Sequence, residues 1–235
     1  MSEQALLFDK NDYDFQQGEV ILIDKPLTWT SFDVVNKLRY LIKIKKIGHA
    51  GTLDPLATGL LILCTGKMTK QIERFQAEEK EYEGTFVLGK TTPSIDLETA
   101  IDSEKSIDHL NDDDLEPVRQ HFLGAISQVP PMYSAIKVGG ERLYKKAREG
   151  KKVEVREREV TIHDFVLTRI ALPEVDFRIV CSKGTYIRSI VRDFGEKLQV
   201  GAYLSRLRRT RNGQFSVEDA YGIDEFVQLI KGDAS

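Results

Sequence analysis

A chain of 235 residues, 41% hydrophobic and 30% charged, is long enough to bury a substantial core, and its composition excludes wholesale disorder. No apolar run approaches membrane-spanning length, and the N-terminus lacks the basic start and apolar stretch of a secretory leader, so a cytoplasmic protein is expected. The net charge of −3 argues against a polyanionic partner only as a sum. Five basic residues and no acidic one lie between Lys37 and Lys46, and nine basic residues face two acidic ones between Arg178 and Arg211. Nine carboxylates are gathered between Asp96 and Glu116. Basic segments segregated from an acidic one suggest a polyanion-binding face, although each cluster alone reads as solvated surface.

In chain order, residues 1–17 are polar and read as a flexible N-terminal arm. Glu19 to Asp24 reads as a core strand, ended by Lys25-Pro26. Thr30 or Ser31 can cap a helix in which Val34, Val35, Leu38, Leu41 and Ile42 recur at helical spacing. After a buried strand over Leu60 to Cys64, Lys67 to Phe75 reads as a short helix and Lys80 to Leu88 as an alternating strand. A helix is expected from Asp113 to Phe122, and strands on either side of Pro130-Pro131, the second from Tyr133 to Val138 with Gly139-Gly140 as its turn. Arg142 to Glu149 reads as a helix stopped by Gly150. Val160 to Ile170 and Glu174 to Cys181 read as antiparallel strands, followed by an amphipathic helix with Ile187, Ile190, Val191, Phe194 and Leu198 inward. A hairpin around Asn212-Gly213 and a helix from Val217 to Ile230 close the chain. Without a regular βαβ rhythm, this order reads as an α+β fold with a mixed, mainly antiparallel sheet and flanking helices. With no clear linker, residues 18–235 are expected to form one domain, acting as a monomer. Cys64 and Cys181 both sit in apolar strand-like runs, as core residues of a reducing compartment do.

The stretch richest in chemistry runs from Gly48 to Lys70. Gly48, Gly51 and Pro55 shape its first half into a loop that carries His49, Thr52 and Asp54. Five apolar residues, Leu60 to Cys64, anchor that loop to a strand buried on both faces. A carboxylate on a rigid turn backed by a core strand is a common way to hold a catalytic group, although Asp-Pro alone is also an ordinary turn starter.

The run Gly48-His49-Ala50-Gly51-Thr52-Leu53-Asp54-Pro55-Leu56-Ala57-Thr58-Gly59-Leu60 resembles the signature of the TruB family of tRNA pseudouridine synthases. Further segments resemble the family: Lys25-Pro26 with Thr30-Ser31, Lys80-Glu81-Tyr82, Gln128 to Ala135, Cys181 to Ser189, and Leu207-Arg208-Arg209. Together they cover about Gly18 to Asp219, so the resemblance implies the pseudouridine synthase fold throughout. It also implies the activity, isomerisation of uridine to pseudouridine at position 55 in the T loop of tRNA. That reaction detaches a uracil, rotates it and rejoins it through carbon-5. As an isomerisation it needs no cofactor or metal in principle, in keeping with the absence of zinc-ligand spacing in the sequence.

By the same resemblance, Asp54 is the catalytic aspartate, acting as nucleophile or charge stabiliser. Arg188 matches the arginine that keeps the carboxylate ionised, a role a guanidinium suits through bidentate pairing. Tyr82 matches the tyrosine stacked on the target base, Tyr186 a second pocket tyrosine, and Leu207 a leucine of the uracil pocket. His49 matches a histidine that contacts the RNA where the base is extruded, a step needed because a stacked uridine is out of reach. Lys45, Lys46, Arg208 and Arg209 then read as phosphate contacts. Two departures stand out. The loop Thr91 to Asp96 has fewer acidic and glycine residues than the family pattern, leaving a role for Asp96 open. The chain also ends at Ser235, too soon for a C-terminal PUA-type RNA-binding domain, so RNA grip is expected from the catalytic domain alone. An RNA-binding or tRNA-folding factor, and a synthase guided by a separate RNA, are the alternative readings.

Overall fold

The computed structural model describes residues 13–151 and 153–232. Its strands are β1 (Val20–Lys25), β2 (Ile47–His49), β3 (Ala57–Thr65), β4 (Lys80–Leu88), β5 (Lys90–Thr91), β6 (Ser103–Glu104), β7 (Gly124–Gln128), β8 (Lys137–Val138), β9 (Glu141–Arg142), β10 (Arg158–Ala171), β11 (Glu174–Cys181), β12 (Ala202–Asn212) and β13 (Phe215–Ser216). Its α-helices are α1 (Ser31–Leu41), α2 (Ile72–Ala77), α3 (Leu115–Gln120), α4 (Leu143–Arg148), α5 (Ile187–Lys197) and α6 (Ile223–Lys231). This is an α+β fold with antiparallel pairing between β1 and β3, β4 and β11, β10 and β11, and β7 and β10. Among the described residues, no helix is long and apolar enough to cross a membrane.

The chain divides into two compact units, Met1–Glu78 with Arg208–Ser235, and Glu79–Leu207. The division falls inside β12. Of the expected N-terminal arm, residues 1–12 lie outside the described residues. From Asp14 onward the chain is a hydrogen-bonded turn, the Asp14 carboxylate accepting from the Gln16 and Gln17 amides.

In the first unit β3 explains its own sequence. Leu61 and Leu63 point into a cluster with Ile21, Ile23, Val34, Val35, Leu38 and Phe226, whereas Leu60, Ile62 and Cys64 point into another with Ala50 and Val217. Side chains alternate along a strand, so only a strand covered on both faces needs an unbroken apolar run. Helix α1 is capped at Thr30, whose hydroxyl accepts from the Asp33 amide (3.0 Å) while Asp33 accepts from the Thr30 amide (2.8 Å). One helix expected from Val217 to Ile230 is two elements: a 3-10 turn, Val217–Asp219, and α6. Between them the Tyr221 backbone bonds with Leu22 and Asp24 of β1, and that pairing holds the connection extended.

In the second unit β4, β11, β10 and β7 form successive antiparallel pairs. Phe86, Phe122, Phe165, Phe177 and Phe194 meet at ring-centroid distances from 5.1 to 6.3 Å, and α5 adds Ile187, Ile190 and Val191 to the buried set. The strand expected from Tyr133 to Val138 is reduced to Lys137–Val138. Its earlier carbonyls have other partners, Ser134 O accepting from the Tyr144 amide (3.0 Å) and Tyr133 O from Arg188 (2.8 Å).

Candidate active site

Each unit brings together part of the constellation. In the first, the Asp54 loop leaves β2 after His49 and enters β3 at Ala57. Its backbone is fastened along its length. The Ala50 amide donates to Ile62 O (2.8 Å), and the Arg209 guanidinium donates to Gly51 O (3.2 Å). Ser31 at the start of α1 accepts from the Leu53 amide (2.9 Å) and donates to Leu53 O (3.2 Å). Pro55 O accepts from the Thr28 amide (2.9 Å), and Asp54 O from the Ala57 amide (3.0 Å). Gly51 sits at φ +95°, a conformation that L side chains resist. Asp54 itself is half-buried on this fixed backbone.

Beneath the loop lies Lys25, which has no solvent exposure. Its ammonium donates to Trp29 O (2.6 Å), Pro26 O (2.9 Å) and Pro55 O (3.4 Å). Burial pushes its pKa down to about 8, while the negative charge of Asp54 works the other way. His49 is half-buried, and its Nδ1 is shut off from solvent with no hydrogen-bond partner among the described residues. Burial chiefly, and the Arg209 charge next, hold its pKa below the usual 6.5, so the imidazole is neutral at pH 7.

The four residues read as phosphate contacts divide into two pairs. Lys45 and Lys46 are exposed. Arg209, by contrast, is 1% exposed and donates to Leu60 O (2.7 Å) as well as Gly51 O. Arg208 forms a two-point pair with Asp24 (2.7 and 3.0 Å). Arg209 is thereby given a structural role, its buried guanidinium turned to carbonyls, whereas Arg208, its side chain 37% exposed, pairs with Asp24 at the surface. The same holds for much of the second basic segment. Arg178 pairs with Glu81 and Asp164, and Arg192 with Asp193.

In the second unit Arg188 is 3% exposed at the start of α5, donating to Tyr133 O (2.8 Å) and Ser94 O (3.0 Å). Its Nε lies 3.7 Å from Asp96 Oδ2. Asp96 is itself 5% exposed, in a turn where Ile95 takes φ +65° and the Asp96 carbonyl accepts from the Thr92 and Ser94 hydroxyls. Asp96 thus pairs with Arg188, a role the sequence left open. Tyr186 precedes α5 and is held at its backbone by buried Gln128, which accepts from the Tyr186 amide (2.8 Å) and donates to its carbonyl (3.1 Å). The Arg158 guanidinium stands 4.4 Å from the Tyr186 ring centroid. Tyr82 on β4 and Leu207 on β12 are both buried. Among residues without an assigned role, Lys25 and Gln128 lay in matched motifs, and nothing local marked them. Their partners are distant in sequence or are backbone atoms.

The family model for the N-terminal domain of TruB family pseudouridylate synthases matches residues 39–187, and that for the tRNA pseudouridylate synthase B C-terminal domain matches residues 188–233. The chain is 53% identical to a tRNA pseudouridine synthase B of Flavobacterium johnsoniae over 93% of this chain and 98% of that protein. It is 51% identical to that of Phocaeicola vulgatus over 92% and 95%, respectively. Among solved structures, it is similar to a chain of a Cbf5-Nop10-Gar1 complex (TM-score 0.73, 29% identity). It is also similar to one in an H/ACA RNP bound to a substrate RNA containing 2'-deoxyuridine (TM-score 0.70, 27% identity). Both cover 97% of this chain, which spans 61% and 60% of theirs. By both family models and by its full-length relatives, the chain belongs to the TruB family of pseudouridylate synthases.

Proposed function

We propose that this protein isomerises uridine to pseudouridine in tRNA, at position 55 of the T loop, as a cytoplasmic monomer that grips the T arm. The reaction breaks the bond between ribose C1′ and uracil N1 and makes one between C1′ and C5. C5 gives up its hydrogen and N1 gains one, so substrate and product are isomers. Asp54 is the catalytic residue, acting as nucleophile or as charge stabiliser. Tyr82, Tyr186 and Leu207 hold the flipped nucleotide, Arg188 supplies the buried positive charge of the uridine pocket, His49 contacts the RNA as a neutral imidazole, and Lys45 and Lys46 meet phosphates.

The observation that carries this reading is the Asp54 loop. Its backbone is tied by Ser31, Thr28, Lys25 and Arg209, all from outside it, in a chain whose relatives of equal length are tRNA pseudouridine synthases. A carboxylate carried on a backbone fixed before substrate arrives needs less reorganisation in the transition state. Release of tritium from a T-arm transcript labelled at uridine C5 tests it. The wild type should release label, and Asp54→Ala should release it slower by on the order of a thousandfold. Equal release by both would remove Asp54 from the chemistry. Tight binding without release by the wild type would favour an RNA-binding role.

A further inference from the structure

Helix α1 turns two large aromatic side chains to solvent. Phe32 is 60% exposed and Tyr40 80%, and Leu27, in the turn before the helix, is 54% exposed. Residues 32, 36 and 40 follow one another at four-residue spacing, so Phe32, Asn36 and Tyr40 form a line about 12 Å long at ~1.5 Å per residue. The opposite face carries Val34, Val35 and Leu38 and is fully buried, so the aromatic line is a second face and not a displaced core.

Basic residues interleave with the rings. Lys37 on the helix and Lys43 just beyond its end are exposed, followed by Lys45 and Lys46. Arg39 donates to Asn36 Oδ1 (2.6 Å), and its guanidinium lies 6.0 Å from the Phe32 ring centroid. The one carboxylate on the helix, Asp33, is engaged in the Thr30 capping box. The line begins at the Asp54 loop, where Ser31 is bonded to Leu53 and Thr28 to Pro55.

We propose that this strip is a second RNA-binding surface, on which unpaired bases of the tRNA outside the isomerised loop stack against Phe32 and Tyr40 while Lys37, Arg39 and Lys43 neutralise the flanking phosphates. It rests on the reading of the protein as a tRNA pseudouridine synthase. Charge decides the occupant. Aromatic faces alternating with three cations, Lys37, Arg39 and Lys43, against the single carboxylate of Asp33 suit a stacked polyanion, because every base offers a π-face and every link a negative charge. A second copy of this chain paired by two-fold symmetry would set Lys37 and Lys43 against an equally basic strip, which repels.

The test uses two variants of the full chain, Phe32→Ala with Tyr40→Ala, and Lys37→Ala with Lys43→Ala. Filter binding is read with full-length tRNA and with the isolated T-arm stem-loop, and turnover at saturating stem-loop is followed alongside. The aromatic pair should raise the Kd for full-length tRNA about tenfold or more and leave stem-loop binding and turnover at wild-type levels. The lysine pair should lower the slope of log Kd on log salt by about two, for full-length tRNA alone. All four side chains are exposed or on the helix surface, so thermal unfolding should match the wild type. Wild-type affinity of both variants for full-length tRNA would overturn the proposal, as would equal weakening toward the two RNAs. A concentration-dependent dimer that the aromatic pair abolishes would overturn it too, by showing a second copy on the strip. If the wild type bound these RNAs but released no tritium, the parent reading would fail while the binding comparison still decided the strip.

Discussion

Lys25 is an ammonium with no solvent contact, held by three carbonyls, one of which belongs to the residue after Asp54. Charge-assisted bonds of this kind hold a loop firmly, and their removal leaves acceptors without their donor. Lys25→Met should therefore lower stability at pH 7 by about 2 kcal/mol in urea unfolding. The pH dependence has a definite sign. The native pKa of Lys25 is about 8 against 10.5 for an unperturbed lysine, so above pH 8 the unfolded chain binds more protons than the native one. Stability from this group thus rises with pH from about 8 until the unfolded value is passed. Cys64 acts in the opposite sense, since burial pushes its thiol from 9.0 to about 11 and stability from it falls above pH 9. Unfolding measured between pH 8 and 9 should show the rise in the wild type and none in Lys25→Met.

At the scale of elements, the Asp54 loop depends on how closely β3 and β12 approach at Gly59. A Cβ there would collide with the backbone N, C and O of Arg209, and the residue sits at φ +101°. Backbone cannot step aside as a side chain can, so Gly59→Ala should destabilise by about 3 kcal/mol or more and shift Arg209 off Gly51 O. Thr30→Ala removes half of the capping box of α1 and should cost about 1 kcal/mol, without touching the Ser31 bonds to Leu53. Thermal unfolding distinguishes the two sizes of effect. Much at this scale was legible in the chain. The unbroken run Leu60 to Cys64 signalled a strand covered twice, and Thr30-Ser31 signalled a cap, of which the structure uses Thr30 while Ser31 bonds Leu53. The break between Val217 and α6 was hidden, because the Tyr221 backbone is held by β1, two hundred residues away in the chain.

For the molecule as a whole, the question is where RNA-binding charge comes from at a net −3. The segment from Lys37 to Lys46 remains largely exposed and, among the described residues, unpaired by carboxylates, whereas much of the segment from Arg178 to Arg211 is taken up by ion pairs within the chain and carbonyl contacts. Binding of tRNA should weaken steeply with salt, since the contacts release counterions. Lys45→Ala with Lys46→Ala should reduce the log–log slope by about two, and Arg208→Ala should leave it unchanged. A drop of one on replacing Arg208 would restore it as a phosphate contact.

By itself the sequence determined the family, the α+β class, the capped helix, the doubly buried strand and the loop that carries Asp54. Those features are written in neighbouring residues, in periodicity, turn chemistry and long motif runs. Only the tertiary structure decided that Arg208 pairs with Asp24, that Arg209 is buried against carbonyls, that Asp96 faces Arg188, and that Lys25 lies without solvent exposure beneath the Asp54 loop. An arginine has the same formal charge whether it meets water, a carboxylate or a carbonyl. Which of these it meets is set by strands and turns far away in the chain, and no local pattern records it.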